Sequence, residues 1–194
     1  HALLQGGQIS YLAKDQNLDP SSPYSFLFTP DTNEQGWMAS KVRYGPGTDD
    51  SAPDEVRVWR PDGSSFVIAS DKDADPASLF QDLDPTSVSL NSAGQVSFAA
   101  TLTSGQRAVL RADTDGYELV ATEGTAGIVE VEYFSPDMNE SGLVVFRAYD
   151  AAGRAIWVSD GETVSRVIGE HDIVVTDLGD ARIDQAQADY PVFG

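Results

Sequence analysis

The stretch Leu90-Asn91-Ser92-Ala93-Gly94-Gln95-Val96-Ser97-Phe98-Ala99-Ala100-Thr101-Leu102 decides how this chain is read. Asn and Gly supply the left-handed backbone of a tight turn, and the residues after them suit a strand. The pattern recurs at Asn33-Glu34-Gln35-Gly36, followed by residues 37–42, and at Asn139-Glu140-Ser141-Gly142, followed by residues 143–148. Each copy is followed by a second marker between two apolar runs: Asp62-Gly63, Asp115-Gly116 and Asp160-Gly161. Asp-Gly in that setting is a strong hairpin signal.

One unit therefore reads as strand a, Asn-x-x-Gly turn, strand b, loop, strand c, Asp-Gly turn, strand d. Strand a is assigned to Phe26-Leu27-Phe28, Val88-Ser89-Leu90 and Tyr133-Phe134. Gly36 and Gly94 stand 58 residues apart, and Gly94 and Gly142 stand 48 apart. That spacing suits a four-stranded propeller blade, which buries its faces only against neighbours. The expected fold is all-β, a β-propeller or propeller segment of four-stranded antiparallel blades. It is read as one repeat domain over 1–194, with a blade remnant at 5–15, blades at about 24–70, 86–122 and 131–169, and an acidic segment at 170–194. The remnant rests on Gly6-Gly7-Gln8-Ile9, which lines up with Asp-Gly plus strand d. Residues 9–13 are then an outer strand without its blade, an edge that invites self-association. A further strand a is expected at Tyr190-Pro191-Val192-Phe193. Three blades close no ring alone, so a longer propeller, a ring shared with another chain and an open arc all stay open.

The cadence of residues 90–102 with Arg107-Ala108-Val109-Leu110-Arg111 resembles a family of secreted bacterial propeller-like repeat proteins, many with cell-surface sorting tails. The resemblance covers about Ile9 to Ile168. It implies a β-propeller and a secreted or cell-surface location, and it carries over no catalytic residue. No sorting tail is seen here.

Composition excludes several classes. A formal charge of −19 and a pI near 4.1 oppose binding to nucleic acid or to anionic lipid, both of which need a basic patch. There is no cysteine, so neither disulfides nor thiolate chemistry are available. No apolar run approaches the roughly 18 residues of a membrane helix. The Asp-rich, Lys-poor balance suits a secreted bacterial protein.

Catalytic chemistry finds little support. The two histidines are His1 and His171. His171 beside Asp172 reads as a solvated loop histidine before it reads as a base, and His1 with His171 is a remote copper pair. No phosphate-binding glycine loop occurs, and Gly45-Pro46-Gly47 lies among acids. Calcium is the better metal candidate. Asp31, Asn33, Asp137 and Asn139 open two Asp-x-Asn-x-x-Gly loops, but Ala39 and Val145 stand at the ninth position and Ala148 at the twelfth, where further oxygen ligands belong. Asp71, Asp73 and Asp75 form another candidate set, with Lys72 and Pro76 against it. No cofactor is required. Trp37, Trp59 and Trp157 are expected to pack between blades rather than stack on sugar rings.

Sorting the acids by this strand map puts most of them on the face of the b–c and d–a loops. The expected function is a non-enzymatic extracellular binding or scaffolding module. Its acidic loop face would take cations or a cationic or protein partner, and the module as a whole a protein or glycan partner. The alternative is a polysaccharide hydrolase or lyase using loop carboxylates.

Overall fold

The computed structural model describes residues 1–5, 7–45 and 51–183. The described chain is all-β apart from one 3₁₀ turn at Thr125–Gly127. It opens with a hairpin of β1 (Ala2–Gln5) and β2 (Gln8–Tyr11). The first large sheet holds β3 (Tyr24–Leu27), β4 (Asp31–Thr32), β5 (Met38–Tyr44), β6 (Asp54–Trp59) and β7 (Ser65–Ser70). The second holds β8 (Phe80–Leu83), β9 (Ser89–Leu90), β10 (Val96–Leu102), β11 (Arg107–Asp113) and β12 (Gly116–Thr122). The third holds β13 (Glu130–Val131), β14 (Asp137–Met138), β15 (Val144–Asp150), β16 (Gly153–Ser159) and β17 (Val164–Gly169). A hairpin of β18 (Ile173–Thr176) and β19 (Gly179–Arg182) follows.

All three large sheets share one antiparallel plan. The first strand is broken, and both halves pair with the second strand, as β3 and β4 do with β5. Third and fourth strands follow in order. Each break contains a proline, namely Pro30, Pro85 or Pro136. Proline has no N–H for the ladder, so a strand is interrupted where one falls. This corrects the assignment of strand a. Residues 26–28 straddle the end of β3, 88–90 reach only the second half of that strand, and Tyr133-Phe134 lie in the break itself. The second sheet therefore begins at Phe80, not near 86.

The Asn-x-x-Gly turns form as read. Gly36, Gly94 and Gly142 have φ of 74°, 83° and 81°, and each donates its N–H to the carbonyl of the Asn three residues earlier, at 3.0–3.1 Å. Residues 9–11 pair with 2–4 in the first hairpin. The acidic segment after 170 contains the β18–β19 hairpin, which has no counterpart in the sequence reading. Residues 190–193 and 46–47 lie outside the described residues.

The sheets pack in chain order. One core joins Ala39, Val56 and Val58 of the first sheet to Phe80, Phe98 and Leu110 of the second. Another joins Val109 and Val120 of the second to Met138, Phe146 and Trp157 of the third. On the first sheet's other side, Val42 and Trp59 pack with Ala13. Of the three tryptophans, Trp157 is buried in the joint between the second and third sheets and Trp37 packs against the core between the first and second, whereas Trp59 is buried on the first sheet's other side.

A further repeat lies in the connections into the first and second sheets. Asp15 bridges to Tyr24 and Asp71 to Phe80. In each, the first Asp accepts backbone amides, Leu18 at 3.1 Å and Ala74 at 2.8 Å. A serine in each also ties back, Ser22 to the Lys14 carbonyl and Ser78 to the Ser70 carbonyl. The pattern Ala-x-Asp-x-x-x-Asp-Pro-x-Ser, at 13–22 and 69–78, records it in the sequence.

Candidate functional site

The calcium candidates serve the turns and the joints between sheets. Asp31 accepts the Thr32 N–H at 2.8 Å and the Leu90 N–H at 2.7 Å. Asn33 caps its own turn by accepting from Gln35 and Trp37, and donates to the Asn91 carbonyl at 3.0 Å. Asp137 accepts the Ser89 hydroxyl at 3.1 Å and its neighbour's N–H at 2.9 Å. Asn139 accepts the Ser141 and Leu143 amides. Asp71 is buried and accepts the Ala74 N–H at 2.8 Å and the Asp54 N–H at 3.0 Å. Asp75 accepts the Ala77 N–H, while Asp73 is exposed. Among the described residues no group of three or more His, Cys, Asp or Glu side chains comes together as a metal would need. The carboxylates of Asp31, Asp71, Asp75 and Asp137 accept backbone amides and a hydroxyl, in their own loops and on neighbouring strands.

The histidines are also apart from any triad. His171 has φ of 72°, and its Nδ1 lies 2.8 Å from the Arg182 guanidinium. Its neighbour Asp172 accepts from Arg166 at 2.6 Å and from the Gly169 N–H at 2.8 Å. The His1 amine donates to the Ala13 carbonyl at 2.8 Å, and its ring stands edge-on to Trp59.

What the fold gathers instead is the three broken strands. The breaks at 28–30, 84–88 and 132–136 face one groove of about 480 Å³, lined among others by Phe26, Phe28, Pro85, Tyr133 and Phe134. A second pocket of about 220 Å³ adjoins it through Pro85 and Tyr133, and it is lined by Lys41, Arg43, Asp54, Asp82 and Asp84.

Behind the rings lies a repeated stack of carboxylate, cation and aromatic face. Asp54 holds Lys41 at 2.7 Å and the Arg43 Nε at 2.9 Å, and the Lys41 ammonium sits 4.2 Å from the centre of the Phe28 ring. Asp84 pairs with Arg107, whose guanidinium carbon lies 3.2 Å from the Tyr133 ring centre. Glu132 holds Arg147 at 2.6 Å, and that guanidinium carbon lies 4.1 Å from the Phe134 ring centre. Tyr133 and Phe134 nevertheless remain 63% and 50% exposed, so their other faces are open.

Two of these cations also latch the sheets together. Lys41 donates to the Leu83 carbonyl at 2.8 Å, and Arg107 to the Val131 carbonyl at 2.5 Å. Leu83 and Val131 occupy equivalent places, each ending the first half of a broken strand. Burial lowers the Lys41 pKa, and Asp54 pulls it back. Burial likewise pushes the Asp84 carboxyl above its usual range, with Arg107 acting against the shift.

Sequence reading passed over this site. Its one local signal is a cation inside an apolar strand, Lys41 between Ser40 and Val42 or Arg147 between Phe146 and Ala148. The pairing of each with a ring depends on where the proline breaks turn the chain. The chain matches no family model and no curated protein.

Proposed function

We propose that this chain is a set of propeller blades acting as a non-enzymatic, extracellular binding and scaffolding module, with the groove of the broken strands as its ligand surface. The observation that carries this reading is the stack of carboxylate, cation and ring behind the groove. It holds Phe28, Tyr133 and Phe134 from one side and leaves Tyr133 and Phe134 exposed to a partner. Rings fixed before binding lose little conformational entropy on contact. A groove of about 480 Å³ falls within the roughly 300–1,000 Å³ usual for ligand sites. The propeller reading is supported by three like sheets packed in series. The acidic surface then supplies solubility and repels acidic partners. The test is protein-detected NMR against a panel of oligosaccharides and peptides. Resonance shifts centred on Phe26, Phe28, Tyr133 and Phe134 are expected, and shifts centred elsewhere would overturn the assignment of the groove.

A hydrolase or lyase is the second reading. It is favoured by Asp82 and Asp84 lining one pocket and by the raised pKa of Asp84. The ion pair of Asp84 with Arg107 weighs against it, because an acid catalyst must release and regain its proton freely. Release of reducing ends from a polysaccharide, abolished by Asp84→Asn, would establish it.

A further inference from the structure

Granting that the groove is the ligand surface, we infer that its occupant is an uncharged saccharide chain. An aromatic face attracts a cation through its quadrupole. At Phe28, Tyr133 and Phe134 a protein cation already occupies one face, at 4.2, 3.2 and 4.1 Å respectively. A ring whose electrons are already drawn toward the first cation offers a second one on the opposite face less quadrupolar attraction. The carboxylates that might offset this, Asp54, Asp84 and Glu132, are bound to Lys41 and Arg43, to Arg107, and to Arg147.

An anion fares no better. The cations beneath the rings are neutralised by those same carboxylates, and the chain as a whole carries −19. Dispersion attraction to a neutral C–H surface is unaffected by either charge. The apolar face of a pyranose ring offers that surface, and its equatorial hydroxyls need hydrogen-bonding neighbours at the edges. The groove provides them in Thr29, Thr86, Ser87 and Ser135. The rings and hydroxyls come from all three sheets, an extended arrangement that suits several linked sugars better than one.

The experiment titrates the full chain with uncharged hexasaccharides (cellohexaose, xylohexaose and maltohexaose) and with two charged ones, the protonated glucosamine hexamer and hexagalacturonate. Binding is followed by calorimetry and by NMR of the groove residues. At least one uncharged hexamer is expected to shift Tyr133 and Phe134. Its affinity should fall at least tenfold in Tyr133→Ala/Phe134→Ala and be retained in Tyr133→Phe, with thermal melts confirming that both variants fold. Both substituted side chains are exposed, so the fold should survive. If a charged hexamer binds the groove more tightly than every uncharged one, the saccharide charge is wrong while the groove stands as a ligand surface. If peptides shift the groove and no saccharide does, the saccharide inference fails alone. If no probe of either kind shifts it, the inference and the proposed ligand surface fall together.

Discussion

Asp31 accepts the backbone N–H of Leu90 at 2.7 Å, so a carboxylate in β4 of the first sheet closes on β9 of the second. The next joint has the same character. The Ser89 hydroxyl donates to Asp137 at 3.1 Å, and the Ser92 N–H to Glu140 at 2.8 Å. Together with the Lys41 and Arg107 latches, these bonds fix the spacing of neighbouring sheets at the strands that border the groove. Apolar packing between sheets is non-directional, whereas these polar contacts set register.

Asp31→Ala leaves the Leu90 N–H without its acceptor, which costs about 1–3 kcal/mol where the amide is buried. Leu90 is buried. Urea melts are expected to show that loss equally in calcium and in EDTA. A loss seen only in calcium would return Asp31 to the role of a metal ligand.

Gly94→Val combines two faults. Gly94 has φ of 83°, and a Cβ there would meet the Trp37 ring at 3.0 Å. A β-branched residue resists that backbone at about 1–3 kcal/mol, and the Trp37 contact adds to it. Gly63→Ala has φ of 85° and open space around the added Cβ, so it is expected to cost less. Equal melting temperatures for the two variants would show that Trp37 does not crowd Gly94.

The buried ion cluster predicts an order of losses. Asp54→Ala leaves the buried Lys41 ammonium without its carboxylate, and removing one partner of a buried pair costs about 3–5 kcal/mol. Lys41→Met keeps the Arg43–Asp54 pair; it loses the ion pair to Asp54 and the charged hydrogen bond to the Leu83 carbonyl, but also ends the desolvation of a buried ammonium, for a net cost of about 1.5–3 kcal/mol. Chemical denaturation of the two variants checks the order. A larger loss for Lys41→Met would refute it.

Asp172 gives the acid limb a definite sign. The Arg166 guanidinium and the Gly169 N–H hold its carboxyl below the ordinary 3.8. The unfolded chain therefore binds more protons there, and the stabilisation is present above pH 3.8 and lost as pH falls through the folded value. Asp172→Asn is expected to lower the melting temperature at pH 6 and to converge on the parent below pH 3.8. Asp71 acts oppositely. Burial raises its pKa, so its contribution turns unfavourable as pH rises from 3.8 through its folded value. A gap between parent and Asp172→Asn that stayed constant with pH would show that the Arg166 contact carries no charge-dependent stability.

What the sequence determined by itself is local. Asn-x-x-Gly and Asp-Gly turns bring positive-φ glycines within a few residues, and the apolar runs beside them pair through those turns, so strand order within each sheet was legible from 33–36, 91–94 and 139–142. The broken first strands were missed because short runs interrupted by Pro30, Pro85 and Pro136 carry little periodicity. For the acids at 31, 71 and 137 the sequence does not separate two roles, because a carboxylate that accepts a backbone amide and one that binds calcium look alike in sequence; the structure shows the amide contacts. The groove depends on packing between sheets. Its stack joins Asp84 and Arg107 of the second sheet to Tyr133 of the third, a contact fixed by how neighbouring sheets pack and not by any turn between them.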